Sequence, residues 1–201
     1  MVRTSLWALR ETLDTRHVPA LRSALEAYLD GLFKLELGYA CNLACTYCSA
    51  GPDYKGLRSL AELRRVVERA FELGYRKIAF SGGEPTIHPD LLELVAHTKR
   101  IGFELRLLAT NGVKLADEGY IRELALAGIQ GAIFSLDVFD EEKQDGLFGG
   151  ANRYPDVIRA LNGILGTTDW PVILTAVVNR VTADHLTQYV EAVAALQEKH
   201  G

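Results

Sequence analysis

Three cysteines, Cys41, Cys45 and Cys48, stand within eight residues in "CNLACTYC", and the 201-residue chain has no others. Thiols gathered this tightly, in a sequence whose first twenty residues are interrupted by Arg3, Arg10, Glu11, Asp14 and Arg16 rather than forming an export signal, read as a metal or redox site in a reducing compartment. The spacing C-x3-C-x2-C calls for a tight loop, and Asn42 suits its turn conformations. Three thiolates can hold three irons of a cubane [4Fe–4S] cluster and leave the fourth iron open to an external chelator. The competing reading is a zinc knuckle with His17 or His88 as fourth ligand, although no second C-x2-C or His pair is present to close the tetrahedron.

The elements that must position this loop follow from periodicity. Short β-rich runs at Phe33–Gly38, Arg76–Ser81, Glu104–Thr110, Gly131–Asp137 and Val172–Asn179 alternate with segments of helical period, the pattern of a parallel sheet or barrel built from βα units. Leu60, Leu63, Val66, Val67, Ala70 and Phe71 form one apolar helix face, with Ser59 as N-cap and Gly74 just past the end. Leu186, Tyr189, Val190, Val193 and Leu196 form another. Further helices are expected near 90–101, 117–127 and 154–165. Ahead of the first strand, Leu21, Ala24, Leu25, Tyr28 and Leu29 follow Pro19 at helical spacing, so residues 1–32 read as a helical lead-in covering the barrel bottom and 33–201 as the core domain.

In such folds the loops at the carboxyl ends of the strands share one face. Here each carries a polar or glycine-rich element: the cysteine loop, "SGGEP" (81–85), "ATNG" (109–112), "SLD" (135–137) and "VVN" (177–179). Inward-facing Leu35, Ile78, Leu107, Ile133 and Leu174 are expected to line the barrel. His88 is expected to help start the second helix rather than do chemistry.

The combination of C-x3-C-x-aromatic-C after the first strand and "GGEP" after the second resembles the radical S-adenosylmethionine (radical SAM) superfamily, over about residues 33–180. The resemblance is greatest to its branch of peptide-modifying maturases, molybdenum-cofactor cyclising enzymes and hopanoid-adenosylating enzymes. It implies an α/β fold, a partial TIM-like (β/α)6 barrel, with a [4Fe–4S] cluster on Cys41, Cys45 and Cys48 and SAM on the open iron. The implied chemistry is reductive cleavage of SAM to a 5′-deoxyadenosyl radical that abstracts hydrogen from, or adds to, a small-molecule or peptide substrate. By the same resemblance Tyr47 lies near the adenine, Gly82 and Gly83 let backbone approach the SAM amino group with Glu84 part of that cofactor-binding loop (its alternative role being only to buttress it), Thr110 and Ser135 contact the carboxylate or ribose, and Asn179 contacts the ribose. A flavodoxin- or ferredoxin-type reductase is the implied electron donor.

Two departures stand out. Several relatives carry an arginine beyond the "SLD" strand, where this sequence has Phe148, with Arg153 nearby. The sequence also ends at Gly201 before the sixth strand that the resemblance implies, and we expect the natural polypeptide to continue. With a net charge of −4 and scattered basic residues, nucleic acid is not an expected partner. No run is long enough to span a bilayer, and the cytoplasm is the expected address. The reading from another class is a non-catalytic iron–sulfur or zinc scaffold.

Overall fold

The computed structural model describes residues 23, 26–48 and 56–200. Five parallel strands pair in sequence order: β1 (Leu32–Glu36), β2 (Lys77–Ser81), β3 (Leu105–Thr110), β4 (Gly131–Ser135) and β5 (Val172–Thr175). Between and after them run α1 (Leu60–Glu72), α2 (Leu91–Ile101), α3 (Glu118–Ala127), α4 (Glu141–Leu147), α5 (Tyr154–Thr167) and α6 (Leu186–His200). This is an α/β fold, a partial barrel of five βα units, as the sequence pattern predicts.

Local chemistry sets the element ends. Ser59 and Glu62 form the reciprocal cap of α1: the Ser59 hydroxyl accepts from Glu62 N at 3.3 Å, and the Glu62 carboxylate accepts from Ser59 N at 2.9 Å. Gly74, just past α1, has φ +97°, which an L side chain would resist. Asp117 accepts from Gly119 N at 2.8 Å to start α3, and Asp140 accepts from Lys143 N at 2.9 Å to start α4. The sequence reading has no α4, because seven residues are too few for a helical period to stand out.

Each crossover helix packs on the same side of the sheet. Leu35, Leu37, Ile78, Phe80, Leu108, Ala132 and Phe134 pack there with Leu63 and Val67 of α1, Leu91, Leu94 and Val95 of α2, Ile121 and Leu124 of α3, and Val157, Leu161 and Ile164 of α5. Each of the fully buried Val, Leu, Ile and Phe side chains contributes about 1.5–3 kcal/mol. Parallel register places alternate residues on the opposite, concave face: Glu36, Ser81, Ala109 and Ile133 at one level, Ala79 and Leu107 at another. Of the expected barrel lining, Leu107 and Ile133 point inward, whereas Leu35, Ile78 and Leu174 belong to the helix face. A strand apolar on both faces shows no alternation, so the face assignment slips by one residue.

At the barrel bottom, residues 26–29 are helical, and Lys77 Nζ donates to the carbonyls of Ala27 and Tyr28 at 3.0 and 3.1 Å. Residues 1–22, 24 and 25 of the expected lead-in, His17 among them, lie outside the described residues. α6 has no fully buried residue, and its apolar face borders an open groove of about 850 Å³ lined by Leu161, Leu165, Trp170, Val193 and Leu196 among others. No helix among the described residues is long and apolar enough to cross a membrane.

Candidate functional site

The cysteine loop leaves β1 and is braced on two sides. On one side, the backbone after β2 continues β-like contact with it: Gly83 N donates to Gly38 O and Glu84 N to Ala40 O, both at 2.9 Å. This approach is possible only without side chains. A Cβ on Gly82, whose φ is +129°, would stand 2.2 Å from Gly38 O, and one on Gly83 would stand 2.2 Å from Ala40 O. The two glycines therefore let one loop lie directly on the other. On the other side, Thr46 N donates to Leu147 O at 2.9 Å at the end of α4. Gly149, φ +76°, lets the chain pass close to Ala44 O, 2.6 Å from where its Cβ would be.

Glu84 is the centre of the first brace. Its carboxylate is buried and accepts four hydrogen bonds: at Oε1 from Thr86 N (3.1 Å), Thr86 Oγ1 (2.6 Å) and Thr110 Oγ1 (2.8 Å), and at Oε2 from Asn111 N (2.7 Å). Burial pushes its pKa up, and the four donors pull against that. Thr110 also accepts from Gly112 N at 3.0 Å. It is thus buried under the loop, with its hydroxyl turned to Glu84. Asn111 continues the chain of bonds outward: its Nδ2 donates to Asn42 Oδ1 at 2.8 Å and faces Cys41 Sγ at 3.7 Å.

Asp137 is the centre of the second. Buried at the top of β4, it accepts from Tyr47 Oη at 2.5 Å, from Gln144 Nε2 at 3.3 Å and from Val177 N at 2.8 Å. Gln144 Oε1 in turn accepts from the N–H groups of Asp137 and Val138 at 2.8 and 2.9 Å. Burial, then the Asp137 carboxylate, raise the Tyr47 pKa well above the usual phenol value, so the hydroxyl remains a donor. The aromatic residue beside the third cysteine is thereby pinned to strand tops ninety residues away.

Cys41 and Cys48 are exposed, and Cys45 is half-buried. Burial, then the neighbouring Cys41 and Cys48, push the Cys45 thiol up to about 11. Among the described residues, no three His, Cys, Asp or Glu side chains are gathered as ligands of a single metal ion. A cubane asks something else of three sulfurs, since each binds its own iron. A zinc site would need four ligands converging on one point, and His88 is spent elsewhere. Buried, its Nε2 pairs with Arg58 O at 2.9 Å and its Nδ1 accepts from Asp90 N at 3.1 Å, just ahead of α2.

Ser135 ends β4 on the concave face, level with Thr175. Asn179 lies beyond β5, where its Oδ1 accepts from Val181 N and Thr182 N at 2.8 and 3.1 Å. Phe148 is fully buried in the core, and Arg153 pairs with Asp156 at the surface. The sequence reading missed the roles of Asn111, Thr86 and Gln144. Only Asn111 carried a local signal, the Asn-Gly turn after a strand.

The family model of the radical SAM superfamily matches residues 35–193. A probable GTP 3′,8-cyclase of Methanopyrus kandleri is 34% identical over 166 residues, which cover 82% of this chain and 53% of that protein. The GTP 3′,8-cyclase of Chlorobaculum tepidum is 34% identical over 156 residues, 76% of this chain and 46% of that one. The chain thus spans about half the length of these curated relatives. Among solved structures, Streptococcus suis SuiB bound to its precursor peptide SuiA superposes with a TM-score of 0.69 at 18% identity, over 90% of this chain and 42% of that one. Methylornithine synthase does so at 0.66 and 15%, over 90% and 56%. Both share its fold.

Proposed function

The chain belongs to the radical SAM superfamily, a family of enzymes whose cofactors are a [4Fe–4S] cluster and SAM, and we propose that Cys41, Cys45 and Cys48 hold such a cluster for the reductive cleavage of SAM. The observation that carries this reading is the double brace. A loop with three thiols is fixed from one side by Glu84 and from the other by Asp137 and α4, at the open top of a parallel half-barrel. Bound together, cluster and SAM would supply a 5′-deoxyadenosyl radical for hydrogen abstraction or addition.

The chain's own residues hold and shield. The donor set fits the cluster, because the Cys41 sulfur already accepts from Leu43 N at 3.4 Å and faces the Asn111 amide, the contacts a ligating thiolate takes. Gly82 and Gly83 offer backbone at the SAM amino group, with Glu84 and Thr110 as the brace beneath. Tyr47, fixed by Asp137, borders the adenine, while Ser135 and Asn179 contact carboxylate or ribose from the tops of β4 and β5. Ala79, Leu107, Ala109 and Ile133 give the concave wall an apolar middle, which excludes water from a reactive centre.

The substrate in this reading is a small molecule or peptide entering the barrel mouth. The curated relatives are named for a GTP cyclisation, which makes a nucleotide one candidate. A flavodoxin- or ferredoxin-type protein would donate the electron, in the cytoplasm. The test is anaerobic reconstitution with iron and sulfide, then dithionite and SAM. The expected product is 5′-deoxyadenosine; a cluster-loaded protein that forms none, or a colourless protein holding one zinc, overturns the proposal.

A further inference from the structure

Asn111 links the buried Glu84 carboxylate to the start of the cysteine loop, seventy residues from Cys41 in sequence. Its backbone N–H is anchored on the buried Glu84 carboxylate at 2.7 Å, so the residue's position is set by a group with three other donors. Its side chain has only one orientation that satisfies its neighbours. The Val113 N–H needs an acceptor and finds Asn111 Oδ1 at 3.1 Å, which turns the amide nitrogen the other way. That nitrogen meets Asn42 Oδ1 at 2.8 Å and Cys41 Sγ at 3.7 Å. Leu43 N supplies Cys41 a second donor at 3.4 Å.

We propose that Asn111 is a positioning and tuning residue for the iron–sulfur centre, donating its side-chain amide to the Cys41 thiolate. This rests on the three cysteines holding the cluster. An N–H aimed at a ligating sulfur stabilises negative charge there, and the reduced cluster carries one more electron than the oxidised one. The donor therefore favours the reduced form and raises the reduction potential. Asn42 shares the same amide and holds the loop's first turn in register with it.

The experiment compares wild type with Asn111→Ala and Asn111→Ser, all reconstituted anaerobically. Iron and sulfide are counted, and the potential is followed by electron paramagnetic resonance in a redox titration. Serine can still accept from Val113 N and keep the turn, while both variants lose the amide. The expected result is near-normal cluster content in Asn111→Ser and, in every variant that loads, a potential lowered by the equivalent of about a tenfold weaker reduction equilibrium, about 59 mV for one electron. Loaded variants with the wild-type potential would overturn the tuning role. Failure of both variants to load would also overturn it, leaving Asn111 a structural strut. A wild-type protein that binds no [4Fe–4S] cluster would instead strike at the underlying cysteine assignment.

Discussion

The end of the barrel around β1 to β3 and the end around β5 and α6 are built to different standards. At the first, a buried carboxylate collects four donors, two glycines allow backbone-to-backbone contact, and the strands carry fully buried Leu35, Phe80 and Leu108. At the second, every residue of β5 is at least partly exposed, α6 buries none fully, and Val177 and Val178 face solvent. The proposed radical chemistry requires the cysteine loop to be held to fractions of an ångström, and the contacts are concentrated where that loop is attached. The fifth unit contributes strand tops to the site but little of the core.

Substitutions can break or sharpen this contrast. Cys45→Ala should remove cluster absorbance and SAM cleavage together, read by visible spectroscopy and 5′-deoxyadenosine formation; retention of either contradicts the ligand assignment. Glu84→Ala leaves two N–H groups and two hydroxyls around an empty space. It should cost about 4 kcal/mol in urea unfolding, in the range found when one member of a buried polar network is removed. Gly82→Ala forces a Cβ onto a backbone oxygen at positive φ and should cost about 3 kcal/mol, with lower iron content after reconstitution. At the other end, Leu196→Ala on α6 should cost only about 1 kcal/mol, because its side chain is partly buried at the edge of the core and also borders the open groove. A cost at Leu196 comparable to that at Glu84 would erase the distinction.

Part of the site could be read directly from the sequence. The three cysteines, the glycines after β2 and the polar strand ends each stand within a few positions of the strand that precedes them, and that local pattern names loops after strands. Ser59 and Gly74 announced α1 in the same local way. The concave wall could not be read, because Leu35 and Leu107 look alike in sequence and only the register separates helix face from interior. The contribution of Asp137 was equally hidden. Its partner Tyr47 is ninety residues away, and nothing local marks which buried carboxylate will meet which hydroxyl.

The sequence by itself determined the fold class, the order of the βα units and the loop that holds the thiols, since these depend on residues within a few positions of each other. Only the tertiary structure decided what holds that loop still. Glu84, Asn111 and Asp137 act through hydrogen bonds between strand tops far apart in the chain, and such bonds exist only once the sheet has brought those tops together.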